Sequence, residues 1–226
     1  MGIKERIEKL GKKKLVVLIV LLILIIGVVG YFAYTSYATT QFNKGITESF
    51  GHYKTGEEIF KSMKGNNNSN FAYNSELSVI GTEKHIEDND KIINSITKEI
   101  TILNKTKNFA NSNEEKEYIN LLIKQREDSK KYYEVTKKWY DINLAYGKGD
   151  IASSQRDAER AKLLKGELKN TLSDKEDSFY KLKEFIISHP GFKQRLISQE
   201  VGVNFTYIGE KDPFKKDSIY IDPMWW

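Results

Sequence analysis

The sequence predicts an all-α protein: a single N-terminal transmembrane helix, an elongated antiparallel bundle of three to four long helices, and a short strand-like C-terminal tail. Three observations carry this. An uncharged apolar run of about 20 residues lies near the N-terminus, enough to cross a hydrocarbon core of about 30 Å. Most of the chain beyond that run repeats its apolar residues with a helical period. Residues 201–226 switch to polar–apolar alternation, the period of a strand.

The apolar run spans Leu15 to Val29, and Gly30, Tyr31, Phe32, Ala33 and Tyr34 extend it. In lipid only a helix satisfies its own backbone, so residues 15–34 are read as a transmembrane helix. Tyr31, Tyr34 and Tyr37 stand where interfacial aromatics belong. A cleaved signal peptide has a shorter apolar core, of about 7–15 residues, so an uncleaved anchor is expected. Residues 1–14 carry six basic side chains against two acidic ones, a net +4, whereas Thr35–Phe50 has only Lys44 and Glu48. That asymmetry puts the basic tail in the cytoplasm and the rest of the chain outside.

The same tail accounts for most of the formal net charge of +5, leaving +1 for the other 212 residues. The basic balance therefore gives no ground for a nucleic-acid partner; the partners expected are the lipid bilayer and a second protein or a second copy of the chain. With no cysteines, disulfides, thiolate metal sites and cysteine nucleophiles are excluded.

Residues 35–200 read as the helical bundle. Phe42, Ile46, Phe50, Tyr53, Phe60 and Met63 fall at helical spacings, so Gln41–Lys64 reads as helix, weakened by Gly45, Gly51 and Gly56; the sequence leaves open whether it forms one helix with the membrane span. Residues 65–70, Gly-Asn-Asn-Asn-Ser-Asn, mark a loop. In a second segment, about Tyr73 to Phe109, Val79, Ile86, Ile93 and Ile100 recur every seven residues. Thr82, Asn89, Ile96 and Leu103 form a second seam, diluted by its polar members.

Ser112 and Glu115 match a capping box, which starts a third helix at Asn113. Its stripe is Tyr118, Leu122, Gln125, Ser129, Tyr132, Thr136, Trp139, Asn143 and Tyr146, half polar and read as bundle core. Gly147–Asp150 supplies a stop and a fresh N-cap. A fourth segment, Ile151–Ser188, ends before Pro190, and a short helix over Phe192–Glu200 comes next. In the tail, Asn204–Ile208 and Ser218–Ile221 alternate as a possible hairpin.

No catalytic motif is present, so the chain is expected not to be an enzyme. His52, His85 and His189 have no zinc-site spacing, and the acids at 87–90 and 174–177 fan around a helix rather than converging. No cofactor or metal is expected. Asn67, Asn104 and Asn204 begin Asn-x-Ser/Thr triplets and are candidate glycosylation sites on the outer side. Trp225, Trp226 and Phe214 are candidate partner-binding residues, because bundle packing does not explain two terminal tryptophans.

The layout resembles the extracytoplasmic helical bundles of bacterial chemoreceptors and histidine kinases. The resemblance is architectural and rests on no motif. The chain lacks their second membrane helix and cytoplasmic signalling module, so any signal it carried would pass through a partner. The function expected is a membrane-anchored binding or scaffold component of the cell envelope or of a membrane complex. A ligand-sensing accessory subunit is the alternative, and an envelope hydrolase the third.

Overall fold

The computed structural model describes residues 12–65 and 79–198, and these are helical apart from short turns. Helix α1 (Lys12–Gly65) is one unbroken helix of 54 residues, about 80 Å long at 1.5 Å per residue. Its first part is bare: Val16 through Ile26, with Val28, Val29, Tyr31, Phe32 and Tyr34, is exposed around the whole circumference. It is the single helix among the described residues long and apolar enough to cross a membrane. Burial begins at Ala38, and Phe42 and Ile46 are fully enclosed.

Helices α2 (Val79–Thr106) and α3 (Asn113–Lys148) come next, then α4 (Ser153–Leu163), α5 (Lys169–Ser188) and α6 (Pro190–Ser198). α1 packs along α2, α2 along α3, and α3 along α5. The fourth side, between α5 and α1, has no comparable packed face among the described residues.

Glycines set the close approach of α1 to α2. A Cβ on Gly45 would overlap Thr106 Oγ1 and lie 2.8 Å from Thr106 Cβ, and one on Gly56 would lie 3.6 Å from Ser95 Cβ. Gly45 and Gly56 are eleven residues apart, as are Ser95 and Thr106, which is about three helical turns and keeps each pair on one face. The glycines therefore do not interrupt α1; they are where α2 touches it.

The buried stripe of α2 differs from the isoleucine heptad. Val79, Ile86, Ile93 and Ile100 are only half-buried. The stripe facing inward is Thr82, His85, Asn89, Ile92, Ile96, Glu99, Leu103 and Thr106, in alternating steps of three and four. α2 has a neighbour on each side, so its seam points between them and the large isoleucines flank it.

At the start of α3, Ser112 Oγ accepts from Glu115 N at 3.1 Å and Glu115 Oε2 accepts from Ser112 N at 3.3 Å, the expected capping box. Glu115 also accepts from Arg195 of α6 at 2.6 Å, so this local motif holds a remote helix as well. Ser112→Ala is expected to lower stability by about 0.5–2 kcal/mol, read as an earlier urea midpoint of helical circular dichroism. An unchanged midpoint would show that Glu115 holds the turn alone.

α3 ends at Gly149 in the left-handed region (φ 83°). Asp150 does not cap the next helix; its amide donates to Ala145 O, and the N-cap is Ala152. The fourth segment is not one regular helix, because a π-helical turn, Leu164–Leu168, separates α4 from α5. Leu164, Leu168 and Leu172 are spaced by four, which drifts about 40° per step in a regular helix, and the wide turn absorbs that drift against α3. Pro190 opens α6 rather than only closing α5, since proline suits a first helical position.

Three apolar clusters result. The largest joins Phe42, Leu103, Tyr118, Leu182, Phe185 and Phe192, at the end of the bundle near the bare part of α1. There Asn111 Nδ2 donates to Thr35 O at 3.2 Å and Phe109 meets Tyr37 edge-on at 6.1 Å, so the α2–α3 turn rests against the end of the apolar run. The other two clusters lie farther along, around Tyr132, Val135, Leu163 and Leu168, and around Met63, Ile92 and Ile96. The strand-like tail of residues 201–226 lies outside the described residues.

Candidate functional site

Between these clusters the interior is polar. Where α1 and α5 fail to close, a cleft of about 90 Å³ reaches into this layer, with all four long segments lining it. α1 supplies Tyr53, Gly56, Glu57 and Phe60; α2 supplies Ile92, Ile96 and Glu99. α3 contributes Gln125, Arg126, Ser129 and Tyr133, and α5 contributes Lys175.

Glu99 sits at the bottom, 2% exposed. Its Oε2 lies 2.7 Å from Arg126 Nε. Burial pushes the Glu99 carboxyl up from its ordinary 4.5 to about 7, and the Arg126 charge and hydrogen bond only partly oppose that. Because the folded-state value is raised, this group favours folding most when protonated. Its contribution declines as pH rises from about 4.5 to about 7 and is flat above.

Arg126 is held on several sides. Its guanidinium carbon lies 4.4 Å from the Tyr53 ring centroid, and Nη1 donates to Gln125 Oε1 at 2.6 Å. Gln125 Nε2 donates in turn to Ser129 Oγ at 3.0 Å. Lys175 is drawn inward, its ammonium 4.3 Å from the centroid of fully buried Tyr132 and 5.5 Å from that of Tyr133. Glu57 is paired with Lys61 at 3.0 Å. Two cations thus face the cleft, and of its two carboxylates one is paired outward and the other is biased toward its neutral form.

Sequence reasoning placed Gln125 and Ser129 on the buried stripe but found neither Glu99, Arg126 nor Lys175. The signal was faint: Glu99 continues the seven-residue spacing of His85 and Ile92 on α2, and an acid on an inward stripe needs a buried partner.

The remaining candidates fall elsewhere. Asn104 is exposed on α2, its Nδ2 donating to Ile100 O at 3.0 Å. Asn67, Asn204, Phe214, Trp225 and Trp226 lie outside the described residues. The acids at 87–90 diverge: Glu87 and Asp88 pair with Lys91, and Asp90 reaches across to Lys137 at 2.6 Å. His85 packs on Tyr140 at 5.6 Å between centroids, and burial lowers its pKa. His189 stacks on Phe185 at 4.2 Å and caps α5. No group of three or more His, Asp or Glu side chains among the described residues is arranged to hold a metal ion.

Of the aromatics on α3, Tyr118, Tyr132 and Tyr140 are buried. Trp139 is only half-buried and Tyr146 is exposed; the guanidinium groups of Arg160 and Arg156 cover their rings at 4.1 Å. The local chemistry must carry the functional reading, because comparison with known protein families, curated proteins and solved structures finds no match.

Proposed function

We propose that this chain is a membrane-anchored, extracytoplasmic binding or scaffold protein. In this reading the basic N-terminus is cytoplasmic, the bare section of α1 spans the bilayer, and the bundle stands on the outer face. The observation that carries it is the continuity of α1. One helix runs from an apolar section with no protein cover into the packed core, with no loop between them. An exposed apolar cylinder of this size is stable only in lipid. A partner held by the bundle is therefore held at a set height above the membrane.

A second reading, a ligand-sensing accessory subunit, draws support from the cleft between α1 and α5, because the spanning helix lines it. The hydrolase reading gains nothing from the same place. Glu57 and Glu99 both line the cleft, but each is engaged by a cation.

The absence of cysteines makes the anchoring test direct. Single cysteines replace Gly2 and, at the far end of the bundle, Lys148. An impermeant maleimide applied to intact cells is expected to label position 148, and position 2 only after permeabilisation. Labelling of both or neither in intact cells overturns the topology. A photo-crosslinker at exposed Tyr180 of α5 then reads the binding role, with a discrete heteromeric or self-adduct expected.

A further inference from the structure

We propose that the α2–α3 turn, residues 104–113, is a foot that binds the headgroups of anionic phospholipids. Phe109 enters the membrane interface, and Lys105 and Lys107 meet headgroup phosphates. The inference deepens the anchoring reading above and rests on it.

Height is the first argument. The apolar run ends at Tyr34, and Asn111 Nδ2 donates to the carbonyl of the next residue, Thr35, at 3.2 Å. Phe109 meets Tyr37 edge-on at 6.1 Å. Tyr37 stands three residues past the end of the run, a rise of about 4.5 Å. A bilayer has about 5–7 Å of headgroup region outside each face of its hydrocarbon core. With residues 15–34 filling that core, the tip of the turn lies inside the headgroup region. Phe109, packed against the bundle on one side and Tyr37 on the other, then stands where interfacial aromatics collect.

Charge is the second. From Asn104 to Asn113 the chain holds Lys105 and Lys107 and no acid. Both lysines are exposed, and neither has an ion-pair partner among the described residues. The acids that come next are accounted for: Glu114 sits on the first turn of α3, where a helix N-terminus favours a carboxylate, and buried Glu115 is held by Arg195. Long lysine stems let the ammonium groups reach down to the phosphates while the stems stay along the turn. Each lysine near an anionic surface strengthens the attraction roughly fivefold, which a zwitterionic surface does not match.

An apolar side chain completes the surface. α5 runs back toward the membrane: Leu168 packs beside Tyr132, whereas the Phe185 ring lies 6.3 Å from that of Tyr118, near the start of α3. Just beyond Phe185, Ile187 is 56% exposed at this end of the bundle. Cations next to exposed apolar side chains suit a lipid interface, which offers charge and hydrocarbon together.

The test is fluorescence quenching on the full chain in vesicles of two parts phosphatidylcholine to one part phosphatidylglycerol. The absence of native cysteines allows one fluorophore at a time, through Asn108→Cys, Tyr34→Cys or Lys148→Cys. The quencher is phosphatidylglycerol or phosphatidylcholine spin-labelled just below its headgroup. Positions 34 and 108 are expected to be quenched and position 148 not. At position 108, spin-labelled phosphatidylglycerol should be enriched at least about fivefold over phosphatidylcholine, and high salt should erase the difference. Lys105→Gln with Lys107→Gln should also erase it while leaving position 34 quenched. Lys162→Gln, on the exposed face of α4, should leave it unchanged. Circular dichroism confirms that each variant is folded.

Quenching at position 34 but not at 108 overturns the foot and leaves the anchor standing. Equal quenching of position 108 by the two lipids, or a preference that survives the double lysine variant, overturns the anionic-lipid assignment. No quenching at position 34 removes the anchor, and the foot with it.

Discussion

Arg126→Met is expected to destabilise the bundle by about 2–3 kcal/mol at pH 8, of which at most about 1.4 kcal/mol is the cost of stranding the Glu99 charge one pH unit above its wild-type value of about 7. The stranded group is Glu99, 2% exposed and already pushed up to about 7 with the arginine in place. Removing the arginine removes the influence that lowers it, so in the variant the carboxyl rises further. The loss is therefore pH-dependent. At pH 5 Glu99 is protonated, and only packing and hydrogen bonding are missing, about 1–2 kcal/mol. Adding Glu99→Gln to Arg126→Met should recover the charge-dependent part of the loss at pH 8, because no buried charge then remains. Urea unfolding followed by helical circular dichroism at both pH values reads all of this. Equal losses at pH 5 and pH 8, or no rescue by Glu99→Gln, would show that the pair is not the source of the effect.

Gly45→Val should cost about 3 kcal/mol, at the upper end of what overpacking does. The first added carbon overlaps Thr106 Oγ1 and lands 2.8 Å from Thr106 Cβ. Thr106 cannot swing away: it is 3% exposed, β-branched within a helix, and its hydroxyl donates to Ile102 O at 2.8 Å. The overlap is relieved only by moving α1 from α2, which opens the cluster around Phe42, Ile46 and Leu103. Gly45→Ala should be milder, since a gain in helix propensity of about 1 kcal/mol offsets part of the clash. Thr106→Ala rescues only partly, because its Cβ remains. Gly51→Ala is the control, since a Cβ there meets nothing. Should Gly45→Ala match the wild-type urea midpoint, the close approach at this position would be disproved.

The ends of α3 were legible in the sequence because they depend on neighbours along the chain. Ser112 with Glu115 started α3, and Gly149 ended it in the left-handed conformation glycine favours. Register was legible only in part: the second seam of Thr82, Asn89, Ile96 and Leu103 is the buried one. Isoleucines at 86, 93 and 100 gave the stronger pattern on α2, yet Thr82, Asn89 and Glu99 are the more buried. Hydrophobicity marks a face; the partner's surface selects which residues of that face lie at its centre. Here the partner offers glycines at 45 and 56, and small Thr106 and Ser95 fit against them. The glycines of α1 looked like weaknesses because the cost of glycine in a helix is local, whereas its benefit, close approach, belongs to another helix.

The sequence by itself determined the all-helical class and the apolar run. Each depends on residues within a few turns of one another, through helical periodicity and the length a bilayer demands. The tertiary structure alone decided that Glu99, Arg126 and Lys175 line one cleft, and that the side between α5 and α1 stays open. They sit on three different helices, and their meeting depends on interhelical register, which no local pattern encodes. That register is set by side-chain volumes across the interfaces, the glycine contacts on α1 above all.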